Sequence, residues 1–194
     1  MWPLLMCSVL VVAVVLERAW VFIAFTLAEW RSRSRIEAFH KALNCGDLKA
    51  AIEIGKNSGP IGNFLSQGVE LRQNGIHDGL EESGQQLLDR LGRGLTVLDT
   101  IVTLAPMLGI LGTVTGIIDS FQLMGAAKGV QGIEAVSSGI AEALVTTAAG
   151  LVVSMSALVP FNIFKTLHTR WLRKLERAAR CCEAACMKED GVEA

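Results

Sequence analysis

"GIAEALVTTAAGLVVSMSALVPFNIF" occupies residues Gly139 to Phe164, and its reading decides the fold. It carries a single charge, Glu142, followed from Ala143 to Phe164 by 22 uncharged residues. At about 1.5 Å per helical residue that run reaches roughly 33 Å, enough to cross a hydrocarbon core of ~30 Å. The stretch therefore reads as a membrane-spanning helix with an acid at the point of entry.

Two further runs have the same character. Pro3 to about Phe22 is one. The other, Thr100 to Ser120, "TIVTLAPMLGILGTVTGIIDS", stays uncharged up to Asp119 and contains Pro106. The whole chain, 194 residues and 51% hydrophobic with mean hydropathy +0.43, is greasier than a soluble domain of this length. The clustering of apolar residues points to spans rather than one large core. A net charge of −1 leaves no bulk nucleic-acid footprint.

The basic residues orient the spans. Nine Lys/Arg lie between Arg31 and Arg93, seven between Lys165 and Lys188, and only Lys128 between the second and third runs. Because basic loops stay cytoplasmic, the N-terminus is read as outside. No basic residue precedes the first run, which argues against a signal peptide. The Glu17–Arg18 pair then falls near the inner interface, where both can pair or snorkel.

The expected fold is an all-α integral membrane protein with three transmembrane helices and long helices extending into the cytoplasm. The expected boundaries are 1–27 for the first transmembrane helix, 28–94 for a cytoplasmic helical region and 95–124 for the second transmembrane helix. A short periplasmic linker at 125–132, the third transmembrane helix at 133–165 and a cytoplasmic C-terminal helix and tail at 166–194 complete it. Asp47 is placed to cap "LKAAIEIGK", Asn57-Ser58-Gly59-Pro60 reads as a break, and one helix is expected from roughly His77 to Met124.

The polar residues within the spans carry the functional question. Ser138, Glu142, Thr146, Gly150 and Ser154 recur at i+4 on the third span and drift slowly round it. Thr103, Thr113 and Thr115 accompany Gly109, Gly112 and Gly116 on the second, where the glycines form a small-residue ridge for close helix approach. For each hydroxyl, helix–helix adhesion is the simpler reading and an ion path the sharper one. A carboxylate deep in a membrane costs ~2.5–3.5 kcal/mol even on the lenient insertion scale. Glu142 therefore either sits at the outer interface or is a protonatable group on the wall of an ion path.

No nucleophile–base pair, P-loop or metal constellation occurs, and an enzyme is not expected. His40, His77 and His168 read as lone surface histidines. Cys7 reads as a small hydrophobe, and Cys45, Cys181, Cys182 and Cys186 as free thiols.

"LAPMLGILGTVTGIIDSF" and "GIAEALVTTAAGLVVSMSALVPFNIF" resemble the paired transmembrane signatures of the MotA/TolQ/ExbB proton-channel family, ExbB-like first and TolQ-like second. "WPLLMCSVLVVAVVLERAW" looks like the first span of ExbB-like members. The resemblance implies a homopentamer in the bacterial inner membrane, with the second and third spans lining a pore. Two copies of a single-span ExbD-like or TolR-like partner would stand in that pore, and a TonB-like or TolA-like protein would receive the work. The partner's essential Asp would carry protons from periplasm to cytoplasm, with no cofactor beyond the proton. By position, the residues facing it are Glu142, Thr147 and Thr113, with Thr146 a weaker match. Pro106 and Pro160 match prolines that bend the pore helices, and Gly109, Gly112, Gly116 and Gly150 serve close packing. Thr115 departs from the pattern, standing where many members carry a bulkier residue. A scaffold without ion conduction is the rival reading, and it predicts that Glu142 can become Gln without effect.

Overall fold

The computed structural model describes residues 2–44, 48–70, 75–126 and 130–190, and all of its regular structure is helical. The helices are α1 (Trp2–Asn44), α2 (Leu48–Lys56), α3 (Gly59–Glu70), α4 (Ile76–Gly92), α5 (Leu95–Ala126) and α6 (Val130–Asp190). Three stretches are long and apolar enough to cross a membrane: Trp2–Ser32, Leu95–Leu123 and Val136–Ala184. The all-α class with three spans read from the sequence is the architecture observed.

The single helix expected from His77 to Met124 is instead two. α4 stops at Gly92, and the Arg93 N–H bonds back to the Asp89 carbonyl. Gly94 then takes φ 76°, the left-handed region where a glycine carries no Cβ penalty. Its carbonyl accepts the Leu98 N–H, in the first turn of α5. Asp47, the expected cap of α2, lies outside the described residues. The break at residues 57–59 is present. Ser58 Oγ donates to the Ile54 carbonyl, Gly59 has φ 76°, and Pro60 stands in the first turn of α3, where its missing N–H is not needed.

The chain divides into two compact units. The first comprises Met1–Arg18 and Gly94–Phe164, the second Ala19–Arg93 and Lys165–Ala194. In the first, large apolar side chains cover the outside, among them Met107, Leu111, Leu144, Leu151 and Met155. That distribution is wrong for water and right for lipid or protein neighbours. Arg18 is buried and paired with the exposed Glu17 carboxylate, and Gly94 packs against Val14 and Arg18.

The second unit has a conventional core of Phe39, Leu65, Val69, Leu80, Leu91, Trp171 and Leu175. α2 and α3 approach through small residues. A Cβ at Gly55 would lie 2.7 Å from Ser66 Cβ, and one at Gly62 would lie 2.8 Å from the Gly55 carbonyl oxygen. Glu29 of α1 accepts the Ile61 N–H at the start of α3, an N-terminal donor that the helix cannot use itself. The Trp171 ring meets Phe25 edge-on at 5.9 Å and carries the Lys174 ammonium at 4.7 Å.

The histidines depart from the reading as lone surface groups. His77 is exposed but pairs with Glu183 at 2.7 Å, and His168 is half-buried with Nε2 3.3 Å from the Leu88 carbonyl. The His40 side chain lies outside the described residues. Cys7, Cys181 and Cys182 form no disulfide among the described residues, and Cys182 is fully buried.

Candidate functional site

The site is built where α5 and α6 meet within the first unit, and its geometry follows from residues without side chains. A Cβ at Gly150 would stand 2.6 Å from the Ala105 carbonyl oxygen and 3.1 Å from Gly109 Cα. One at Gly109 would stand 3.1 Å from Thr147 Cα, and one at Gly116 would stand 2.8 Å from Ala143 Cβ. A Cβ at Gly112 would overlap the Thr146 methyl. The glycine ridge of α5 is thus spent against α6 of the same chain, where it brings the two backbones into contact.

Close approach lets side chains of one helix reach carbonyls of the other. Thr147 Oγ1 donates to the Gly109 carbonyl at 2.9 Å, and Ser154 Oγ donates to the Val102 carbonyl at 2.7 Å. The second bond has a particular cause. Val102 is four residues before Pro106, which has no N–H to give, so the helix leaves that carbonyl without its ordinary donor. Ser154 supplies the donor from the neighbouring helix, as a membrane interior demands.

Other hydroxyls bond within their own helices. Thr113 Oγ1 donates to the Ile110 carbonyl at 2.7 Å, and Thr146 Oγ1 donates to the Glu142 carbonyl at 3.1 Å. Thr115 Oγ1 is shared between Leu111 and Gly112, and the exposed Ser156 bonds back to Val152. Pro160 lies inside α6 as Pro106 lies inside α5.

The i+4 stripe of α6 explains the difference among its members. Each step of four residues turns a helix about 40° past a full turn. Ser138 and Glu142 lie on the open face, Thr146 is half-buried, and Gly150 and Ser154 are buried against α5. Glu142 is therefore exposed on the chain taken alone, whereas Thr147 and Ser154 belong to the contact between helices. The sequence pattern grouped residues that point in different directions. The register of α5 against α6, separated by 38 residues at Thr147–Gly109 and 52 at Ser154–Val102, is what sorts them.

Residues 56–177 match the model of the MotA/TolQ/ExbB proton channel family. The chain belongs to that family. Its resemblance is to the ExbB-like branch. The "Putative biopolymer transport protein ExbB-like 1" of Synechocystis sp. is 35% identical over 178 residues, covering 88% of this chain and 68% of that protein. "Putative biopolymer transport protein ExbB-like 3" of the same organism is 31% identical, covering 87% and 81%. The "Biopolymer transport protein exbB1" of Vibrio cholerae is 29% identical, covering 90% and 78%. The match spans the glycine ridge, both span prolines and Glu142. With three apolar helices, this ExbB-family chain is a multi-pass membrane protein.

Proposed function

We propose that this chain is the proton-conducting subunit of an inner-membrane complex that turns proton-motive force into work for TonB-dependent outer-membrane uptake. It acts as a homopentamer around two copies of an ExbD-like partner. That partner passes protons inward on its own carboxylate and drives a TonB-like protein. The names of the relatives favour this pathway over a TolQ-like one, in which a TolR-like partner and a TolA-like receiver maintain the envelope.

The observation that carries the reading is Glu142. It is the one carboxylate bordering the 22-residue uncharged run of α6, and it stays on the open face of that helix while the polar residues after it turn into the α5 contact. An acid in that position faces a neighbouring subunit or the partner. It biases the local field at the periplasmic mouth of the path and offers a second site for the proton.

The threonines act by rotation of their hydroxyls. Thr146 and Thr113 donate to carbonyls that the α-helix already supplies with a donor, so turning the O–H away costs little. A protonated partner carboxyl donates to the threonine oxygen. Once ionised, the same carboxyl accepts the rotated O–H, which holds it until the next proton arrives. Thr147 has the same choice, but its O–H also ties α6 to α5. The driving force is about 2.3 kcal/mol per charge per 100 mV.

The test is Glu142→Gln, which keeps size and hydrogen bonding but cannot ionise. Assembly with the partner should survive, while proton flux into liposomes holding both proteins and energy-dependent uptake should be abolished. Wild-type flux in an assembled Glu142→Gln complex would hand the case to the scaffold reading.

A further inference from the structure

We infer that Asp119 is a further proton-handling residue, the outer carboxylate of a relay that delivers protons to Glu142. The inference rests on the function proposed above and adds a residue to it. From Thr100 to Leu123 the second span carries one charged residue, Asp119, and from Val136 to Phe164 the third carries one, Glu142. The packing of α5 on α6 brings these two charges to one flank of the helix pair.

The placement follows from a single contact. Gly112 and Thr146 touch, since a Cβ on the glycine would overlap the threonine methyl. Asp119 lies seven residues beyond Gly112, two turns along α5 and only about 20° from it round the axis. Glu142 lies four residues before Thr146, one turn along α6 and about 40° from it. Both rotations carry the acids away from the buried row that joins the helices, and to the same side. The other side is taken by Thr147, which reaches the Gly109 carbonyl. Further out the two helices stay paired, Gly116 against Ala143 and Ser120 against Gly139.

Depth orders the groups. At about 1.5 Å per residue, Asp119 stands about 10 Å and Glu142 about 6 Å outward of the Gly112–Thr146 contact. The flank therefore reads, from outside inward, Asp119, Glu142, Thr146. Thr115, a turn inward of Asp119, adds a hydroxyl near the depth of Glu142, bonded to carbonyls of its own helix. Both acids are exposed on the chain, among large exposed apolar side chains such as Ile118 and Leu144. Carboxylates are costly on a lipid face, so this flank meets protein or water.

A proton arriving from outside binds a carboxylate oxygen of Asp119. In the transfer the Asp119 O–H bond breaks and its electron pair stays on that oxygen. A lone pair of the Glu142 carboxylate forms the new O–H bond, directly or over one water. Asp119 is left ionised for the next proton, and Glu142 holds the first one for the partner. Among the described side chains, Glu142 is the one charged group of α6 on this flank. Glu17, Arg18 and Asp99 belong to the opposite end of the unit, where Gly94 packs against Arg18.

The experiment uses the full chain reconstituted with its single-span partner in liposomes. A fixed potassium diffusion potential drives flux while the outside pH is varied. Asp119→Asn keeps size and hydrogen bonding but cannot ionise. At about pH 8 outside its flux should fall about tenfold, the low end of what charge at the mouth of a path adds to cation entry. At about pH 5.5 the gap should close to about twofold, because bulk protons then reach Glu142 unaided. Asp119→Cys should regain flux after iodoacetate, which rebuilds a carboxylate, and not after iodoacetamide, which adds a neutral amide; wild type treated alike sets the baseline. Gel filtration confirms assembly, and if Asp119→Asn does not assemble, the two reagents on the assembled Asp119→Cys complex decide. Wild-type flux in Asp119→Asn at every pH, a loss that ignores outside pH, or equal rescue by the two reagents would overturn the relay. With Glu142→Gln still inactive, each of those results leaves the proposed function standing. Wild-type flux in Glu142→Gln would instead remove that function, and the relay with it.

Discussion

The bond from Ser154 to Val102 makes a quantitative prediction, because two residues 48 apart in sequence are tied to the same carbonyl. Pro106 removes the N–H that would have served Val102, and Ser154 replaces it at 2.7 Å. Ser154→Ala should therefore orphan a carbonyl in a dry helix contact. Hydrogen bonds between membrane helices are worth about 0.6 kcal/mol on average and up to ~1.7. A carbonyl left with no donor belongs at the upper end, so the expected loss is ~1.5 kcal/mol. In the Pro106→Ala background residue 106 regains its N–H, and the helix itself serves Val102. There Ser154→Ala should cost no more than ~0.5 kcal/mol.

The coupling energy of the cycle is thus about 1 kcal/mol, well outside the few tenths by which independent sites depart from additivity. The assay is reversible unfolding in mixed micelles at fixed protein concentration, so that oligomeric state does not shift between variants. If Ser154→Ala costs the same in both backgrounds, to within ~0.3 kcal/mol, the serine is not the surrogate donor and the account of Pro106 is wrong.

Two further outcomes follow from the geometry. Gly150→Ala places a Cβ 2.6 Å from the Ala105 carbonyl oxygen, which only backbone movement can relieve. It should destabilise the α5–α6 pair by ~1–3 kcal/mol in the same micelle assay, whereas Gly84→Ala, which meets only the Phe64 ring edge at 3.3 Å, should cost far less. His77 has its pKa raised by the hydrogen bond to Glu183 and by that carboxylate's charge. Its contribution should be complete below about pH 6.5, the ordinary histidine value, and fade as pH rises through the raised folded value. Thermal midpoints of wild type and His77→Gln should therefore differ slightly at pH 5.5 and converge by pH 9. His77 is exposed, so the difference is small, and a difference that grows with pH would refute the assignment.

How far the sequence could reach depended on the kind of signal. Spans were legible because an uncharged run of 22 residues has few alternative fates, and the boundary residues Asp119, Glu142 and Lys165 are charged. The break at Arg93–Gly94 was not, because leucines at helical spacing continue across it and glycine signals a stop only when its φ is known. The hydroxyls were least legible. Thr113, Thr146, Thr147 and Ser154 have the same chemistry, and nothing local separates a side chain that bonds its own helix from one that bridges to another. The proline at 106 was the clue to Ser154, since a missing N–H demands a donor from somewhere.

The burial of α6 shows the same principle along its described side chains. Its buried or half-buried positions include Ala143, Gly150, Ala157, Phe164, Trp171 and Ala178, seven apart, and Thr147, Ser154, Phe161, His168, Leu175 and Cys182, each four further on. A repeat of seven is the spacing of a helix that holds one seam against its neighbours. No hydrophobicity period betrays it, because the seam changes chemistry along the way. Between residues 143 and 157 it is made of Ala, Gly, Thr and Ser, surrounded by larger apolar residues that face outward. From Phe161 to Leu175 the seam itself carries large or aromatic side chains and the outer face is charged. The rule inverts where the outer face changes from apolar to charged side chains. In lipid, apolar surface gains nothing by being buried, so the contact is made by residues small enough for backbones to meet. In water, burial of apolar area is what holds helices together. One helix obeying both rules in turn keeps the spacing of its seam while the size of the seam residues changes with what surrounds them.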